Sequence, residues 1–469
     1  MDLVDHFALA ASNASYDALS PAAAEAAKKS VLDVLGVILA ASGMEPEVTG
    51  LIDLVRETGG QEEATIVSCS GRYPAAASAF ANGAMAHCLD FDDLTPWGHH
   101  CSSSIVPAVL AVAERAGNVH GRDVITAVAV GQDLFTRLRR NIDWRREWNL
   151  STVFGVYAAT AAAGRVLGLP SEQVAHALGI ASMHSAGMTE MIAGTSSDLH
   201  GMYAGFSARG AVEAVLLAQR GVTGIPQLFE GDYGVFASYF QGQFDRAAML
   251  EGLGEDFRGA DTEYKAWPCV GTSHSHIKAT IDLVANHGLT GAQIKEIRLY
   301  VGDYHELTCR PLEARRAPKS RADAQYSLPY LVAVAAVRGG IDVSDFTEDA
   351  LRNEDVLRTA AKVVPIPDPA LNWHTELPLG RVRILTEDGR SVEAVGDRVP
   401  GSASAPLTWD ALEAKFANCA AVAAAPPSSR DLRQLKSGIR ELEGCADVGQ
   451  LIRLVAAPAP VVGASTGVM

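Results

Sequence analysis

The sequence predicts a mainly α fold, and three observations carry that expectation. Apolar residues recur at helical spacing almost without break from Pro21 to about Leu253, β alternation is confined to short stretches after Tyr264, and the helical pattern resumes after Pro400-Gly401. A chain of 469 residues is long for one core, so two domains are expected. Residues 265–399 read as a smaller α/β unit, and the helices after it are free to return to the first. Aromatics are only 6%, with alanine and glycine abundant, which suits closely packed helices better than a β-rich fold.

The first helix opens at Pro21-Ala22-Ala23, with Ser20 as N-cap and proline in the first turn. Its apolar positions, Val31, Leu32, Leu35 and Val37 to Leu39, are dense enough to predict burial on all sides. The pattern repeats over 75–87, 105–116, 121–139, 151–167, 171–185 and 205–220, with Gly117, Gly168 and Gly221 where C-caps belong. Ile294 to Val301 alternates like a half-buried strand. The stretch from Gly380 to Val395 reads as a hairpin around Asp388-Gly389. Helices are expected over 276–287, 327–337, 408–423 and 429–442, and residues 456–469 read as a loose apolar tail.

The formal net charge of −16 argues against nucleic acid or an anionic membrane as partner. An anionic substrate would need a local cluster of cationic side chains working against that field. The first twelve residues do not read as a secretory signal. Seven scattered cysteines form no CxxC pair and suit a reducing compartment, so the cytoplasm is expected.

Three segments concentrate chemistry. From His87 to His100 three carboxylates (Asp90, Asp92, Asp93) and three imidazoles (His87, His99, His100) fall between two apolar helices, where unpaired charge is costly. Asp90 lies three residues after His87 and shares its helical face if the helix continues, and the adjacent aspartates are placed to raise one another's pKa. Capping and loop anchoring is the alternative use of such aspartates. The second segment, Tyr264-Lys265 with Pro268-Cys269 and His274, lies at the domain boundary, where ligand sites tend to form, and Lys265 is a candidate carboxylate anchor. His274 and His276 form a His-x-His pair, but no Cys or Glu pattern with zinc spacing accompanies it. The third, Gly194 to Gly205, puts Gly, Ser and Thr ahead of a helix as an anion nest or an ordinary connection, and lacks the Gly-Lys-Ser/Thr of a phosphate loop.

Taken in order, these motifs resemble the MmgE/PrpD family. They are Asp33 to Gly36, His87-x-x-Asp90-Phe91-Asp92-Asp93, and His100 seven positions before Pro107. Phe154-Gly155, Lys265-x-x-Pro268-Cys269 with His274, Tyr326-Ser327-x-Pro329-Tyr330 and Pro400-Gly401 before Lys415-Phe416 follow. The resemblance implies a homodimer whose subunit has a large all-helical domain from both chain ends, 1–264 and 400–469, with a smaller α/β lid, 265–399, inserted in it. It implies an enzyme that needs no metal or organic cofactor and acts on a small anionic carboxylate in the cleft between the domains. By position it makes Asp90, His100 and Lys265 catalytic, with His200, Asn149, His274, Asp93 and Tyr330 around the substrate.

The chain departs from the family pattern at Leu94, where threonine is usual, at Asn149 and Val270, where histidines stand in relatives, and at His200, where a lysine is expected. Breaking a C–H bond beside a carboxylate takes a base, a proton donor and cations for the enediolate charge. Asp90 or His100 supplies the first two, and Lys265 with His200 the third. The altered shell turns the expectation toward an epimerase of an iminodisuccinate-like diacid, with a 2-methylcitrate-type dehydratase or cis-aconitate-type decarboxylase as the alternative. A non-catalytic polycarboxylate-binding module stands as a reading of another class. A magnesium-dependent isoprenoid synthase fits poorly, because no second Asp-rich motif is present.

Overall fold

The computed structural model describes residues 1–143, 147–193, 197–373 and 377–458. Gly194 to Ser196 of the anticipated anion nest, and the tail from residue 459, lie outside the described residues. The helices that matter to the site are α1 (Pro21–Met44), α2 (Ala75–His87), α3 (Ser102–Ala116), α4 (Gly121–Arg140), α5 (Leu150–Val166), α6 (Leu199–Ala218), α7 (His274–His287), α8 (Leu328–Arg338), α9 (Trp409–Ala421) and α10 (Ser429–Arg440). Ser20 caps α1 by accepting from the Ala23 amide at 3.2 Å. Val31 to Ala41 are all buried, as their density required.

One continuous apolar core joins residues from Leu3 to Tyr264 with residues from Leu412 to Val455, so α9 and α10 do pack onto the N-terminal helices. Small residues set the spacing inside it. Where α2 crosses α6, a Cβ built on Gly205 would stand 2.5 Å from the Phe80 carbonyl oxygen and 2.8 Å from the Ala84 nitrogen. Both obstacles are backbone and cannot rotate away. Gly205→Ala should therefore cost about 1–3 kcal/mol by forcing the helices apart. An unchanged urea midpoint would contradict this account of the crossing.

Two further cores lie between Trp267 and Val399. Strands β1 (Ile294–Val301), β2 (Val363–Pro367), β3 (Arg381–Thr386) and β4 (Ser391–Val395) form a mixed sheet in the order β2-β1-β3-β4. The β1–β2 pairing is parallel, and the other two are antiparallel. Helices α7 and α8 bury Ala279, Leu283, Val332 and Ala336 against Ile297, Leu299, Val382 and Ile384 of this sheet. The expected hairpin is present, with Gly389 at φ +86° in its turn.

Strand β2 was not anticipated. Its sequence, Val-Val-Pro-Ile-Pro, reads as a breaker, but the strand is an edge, where a proline's missing donor faces no partner. Helix α6 begins six residues before the expected Gly205, so His200 and Tyr203 are helical. The helix read over 171–185 ends at Ala181, with a 3₁₀ turn after it. Among the described residues no helix is long and apolar enough to cross a membrane.

Candidate active site

Helix α2 stops at His87, and Asp90 adopts φ +47°, so the shared helical face expected for these two residues does not exist. His87 instead reaches Asp92, with Nδ1 2.9 Å from Oδ1. The left-handed turn at Asp90, a conformation aspartate tolerates better than most residues, belongs to the loop that carries its carboxylate to Lys265. The segment bearing Lys265 is held beside that loop by a short antiparallel bridge. The Leu94 amide donates to Glu263 O at 2.9 Å, and the Glu263 amide donates back to Leu94 O at 2.8 Å. Gln325 and Lys415 hold the loop from other elements, donating to Leu89 O at 2.7 Å and to Phe91 O at 2.6 Å. Lys415 also pairs with Asp33 at 2.7 Å.

The three residues assigned to catalysis meet at this point. Lys265 donates to the Asp90 carboxylate and, at 2.9 Å, to the Asp90 carbonyl. His100 Nε2 lies 3.5 Å from the same carboxylate oxygen. Its Nδ1 is 2.8 Å from Asp93 O and 3.1 Å from Asp92 Oδ2, both acceptors, so the ring proton belongs on Nδ1 and Nε2 is left as an acceptor. The His100 amide donates to Ser151 Oγ at 3.0 Å, which ties the ring's backbone to α5.

The electrostatics separate the carboxylates. Burial opposes ionisation of Asp90, but Lys265, His100 and His87 outweigh it and bring the group down to about 2. Asp92 is likewise held well below its usual range, burial being overcome by His100 and His87. The carboxylate that rises is Asp93, to about 7, through burial and then the nearby Asp33; its neighbour Asp92 contributes less. The raised carboxylate expected among the adjacent aspartates is thus real, but it is not Asp90. Asp93 accepts from Ser30 at 2.5 Å, and its carboxylate points into that buried polar network. Burial depresses His100 more than Asp92 raises it, and keeps the imidazole neutral near pH 7.

His100, Asn149, Tyr203 and Tyr326 line a small cavity of about 50 Å³ together with Gly271-Thr272 and Trp373. Lys265 and His274 line a larger one of about 350 Å³ that shares the Gly271-Thr272 wall. Asn149 caps α5, its Oδ1 accepting from the Ser151 amide at 2.9 Å. The His200 ring packs edge-on to Tyr326 at 4.0 Å, and its Nε2 has no partner among the described residues. His274 lies against Trp267 and its Nε2 is similarly unsatisfied. Tyr330 does not reach the cluster: its hydroxyl donates to Asp345 O at 3.1 Å inside the second core. The tyrosine at the cavity is Tyr326, four residues earlier in the same Tyr-Ser-x-Pro-Tyr motif. His87, Asp92, Tyr203 and Tyr304 also join the site without having been assigned to it.

Ligand atoms of His87, Asp90, Asp92 and His100 lie within 4.8 Å of one another, a spacing that would suit a cation. They are already engaged by one another, and the Lys265 ammonium on Asp90 would repel an ion placed there. His200, His274 and His276 are neutral because burial takes each to about 3. Unfolded, each would bind a proton below about pH 6.5, whereas the folded protein refuses it until about pH 3, so stability must fall as pH drops through that window. His276→Gln, outside the cluster, should flatten the stability–pH slope by up to about 1.4 kcal/mol per pH unit between pH 6 and 4. An unaltered slope in urea titrations would refute the neutral assignment.

Residues 5–247 match the MmgE/PrpD N-terminal domain and residues 267–439 the MmgE/PrpD C-terminal domain. The chain belongs to the MmgE/PrpD family. A cis-aconitate decarboxylase-like protein, oryM, of Aspergillus oryzae is 27% identical over 416 residues, covering 83% of this chain and 84% of that protein. The cis-aconitate decarboxylase of Homo sapiens is 26% identical over 397 residues, covering 81% and 80%. The 2-methylcitrate dehydratase of Cupriavidus necator is 23% identical over 393 residues, covering 79% and 78%. These MmgE/PrpD relatives are enzymes, and at such identities this chain is a divergent member.

Proposed function

We propose that this protein is a lyase acting on a small di- or tricarboxylate, by proton transfer at a carbon beside a carboxylate, with His100 as the proton-transfer residue. The observation that carries the reading is the convergence of Asp90 and His100, from the His87–His100 segment, with the distant Lys265 on one buried point. A carboxylate with a pKa of about 2 is a weak base, whereas a neutral imidazole with Nε2 open is a competent one. Asp92 and Asp90 flank the ring and stabilise the imidazolium that forms. An ammonium has three N–H donors, and Lys265 spends them on Asp90 at two acceptors, leaving one for a substrate carboxylate.

In dehydration, His100 takes the α-proton, the C–H electron pair becomes the new C=C bond, and the hydroxyl leaves as water with the proton that the imidazolium gives back. In decarboxylation, His100 first takes a proton from solvent, and the C–C pair released with carbon dioxide passes to a carbon that accepts that proton from the imidazolium. The relatives' names favour these lyase chemistries over the epimerase, which needs a second proton-transfer group on the opposite face. Residues 265–399 serve in this reading as a lid over the helical unit, since the small cavity has walls from both, and the active form is a homodimer. At about 50 Å³ that cavity is smaller than typical ligand sites of ~300 Å³ or more, so substrate entry requires its walls to part. Incubation with cis-aconitate, 2-methylcitrate, citrate and related acids, followed by NMR of the products, tests the proposal. Loss of water or carbon dioxide from one of them is expected, and inertness of the whole panel would overturn it.

A further inference from the structure

Arg139, one residue from the end of α4, has almost no solvent exposure and faces no carboxylate among the described residues. Its neighbours are differently placed: Arg137 pairs with Asp133 at 2.8 Å, and Arg140 lies over the Trp97 ring. Arg139 Nε donates to His99 Nδ1 at 2.9 Å, and its Nη2 has no partner among the described residues. A buried guanidinium without a counter-ion is expensive, and the nearby helix C-terminus offsets only part of that cost.

The contact to His99 fixes an imidazole. His99 Nδ1 lies between two partners, the Arg139 Nε–H at 2.9 Å and the Trp97 carbonyl oxygen at 3.3 Å. Arginine has only donors and makes the shorter contact, so Nδ1 accepts from it and the ring proton sits on Nε2. His99 lines the same small cavity as His100, its ring stacked on Trp373 at 5.4 Å, and its Nε2 makes no hydrogen bond among the described residues. Asn149, across that cavity, brings no charge. The cavity thus has in His99 an N–H donor backed by a cation that faces no carboxylate among the described residues.

We propose that His99 and Arg139 form a carboxylate-binding subsite, in which His99 Nε2–H donates to a substrate carboxylate other than the one addressed by Lys265. Arg139 is the positioning residue: it holds the imidazole in the donating tautomer and supplies the positive charge behind it. The inference rests on the reading of the site as one for a small polycarboxylate, and adds that the substrate has a second carboxylate directed toward α4.

Calorimetric titration with tricarballylate and citrate decides it, on the wild type and on His99→Phe, Arg139→Gln and Arg139→Lys. Phenylalanine keeps the stacking on Trp373 but removes the donor. His99→Phe and Arg139→Gln should each weaken binding of both acids at least about tenfold, as expected for losing a charge-assisted hydrogen bond. Arg139→Lys should recover part of the affinity, which a purely structural arginine would not show. With the natural substrate in hand, KM should rise far more than kcat falls. Wild-type affinity in both His99→Phe and Arg139→Gln would overturn the subsite and leave the lyase reading standing. A wild type that binds neither acid would overturn both. Should Arg139→Gln fail to fold, His99→Phe and Arg139→Lys still decide.

Discussion

Lys265→Met should destabilise the protein by about 3–5 kcal/mol and abolish turnover together. The ammonium is wholly enclosed, and it is the cation that allows Asp90 to remain ionised in the core. Removing one partner of a buried ion pair leaves the other as an uncompensated charge, which is the costly way to break such a pair. A double change, Lys265→Met with Asp90→Leu, should recover much of the stability and none of the activity, because replacing both partners by apolar groups removes the stranded charge. Urea unfolding of the two variants measures the difference. Equal stability of the single variant and the wild type would mean that the pair does not exist as described.

The second large effect is on chemistry alone. His100→Gln should lower turnover by about 10²–10⁴-fold, the usual contribution of a positioned proton-transfer group, while leaving the fold intact. Glutamine retains a polar head near Asp92 and Asp93 O but has no proton to exchange near neutral pH. Asp90→Asn should be similarly inactive, for a different reason: the amide neither balances Lys265 nor steadies an imidazolium. Activity within tenfold of wild type in folded His100→Gln protein would remove His100 from the mechanism.

The sequence made the helical body legible because its helices carry long apolar runs with ordinary caps, Ser20 ahead of Pro21 being the clearest. The hairpin was legible for the same kind of reason, since Asp388-Gly389 is a strong turn signal. Strand β2 was not, because its stability comes from pairing with β1 while its own residues include two prolines. The trio proposed for catalysis was drawn from motif order, not local periodicity. The helix ends at His87, where its pattern ended, and does not continue to Asp90, which stands in the left-handed region. Tyr326 and Tyr330 share a motif, and choosing between them needed to be settled by which one the start of α8 turns into the second core. His99 stood out only as one of three imidazoles in its segment, and its pairing with Arg139, forty positions on, had no signal in the chain: that meaning comes from a contact and a missing counter-ion, both properties of the folded state.

The central claim is that an open imidazole nitrogen at His100 moves a proton to or from a carbon beside a carboxylate. NMR of a di- or tricarboxylate substrate in deuterated water tests that claim most directly. With wild-type protein solvent deuterium should enter the product of a decarboxylation or, through return of the abstracted proton, the α-carbon of a dehydration substrate, and with His100→Gln it should enter neither. Decarboxylation without deuterium in the product, or equal incorporation by the variant, would contradict it.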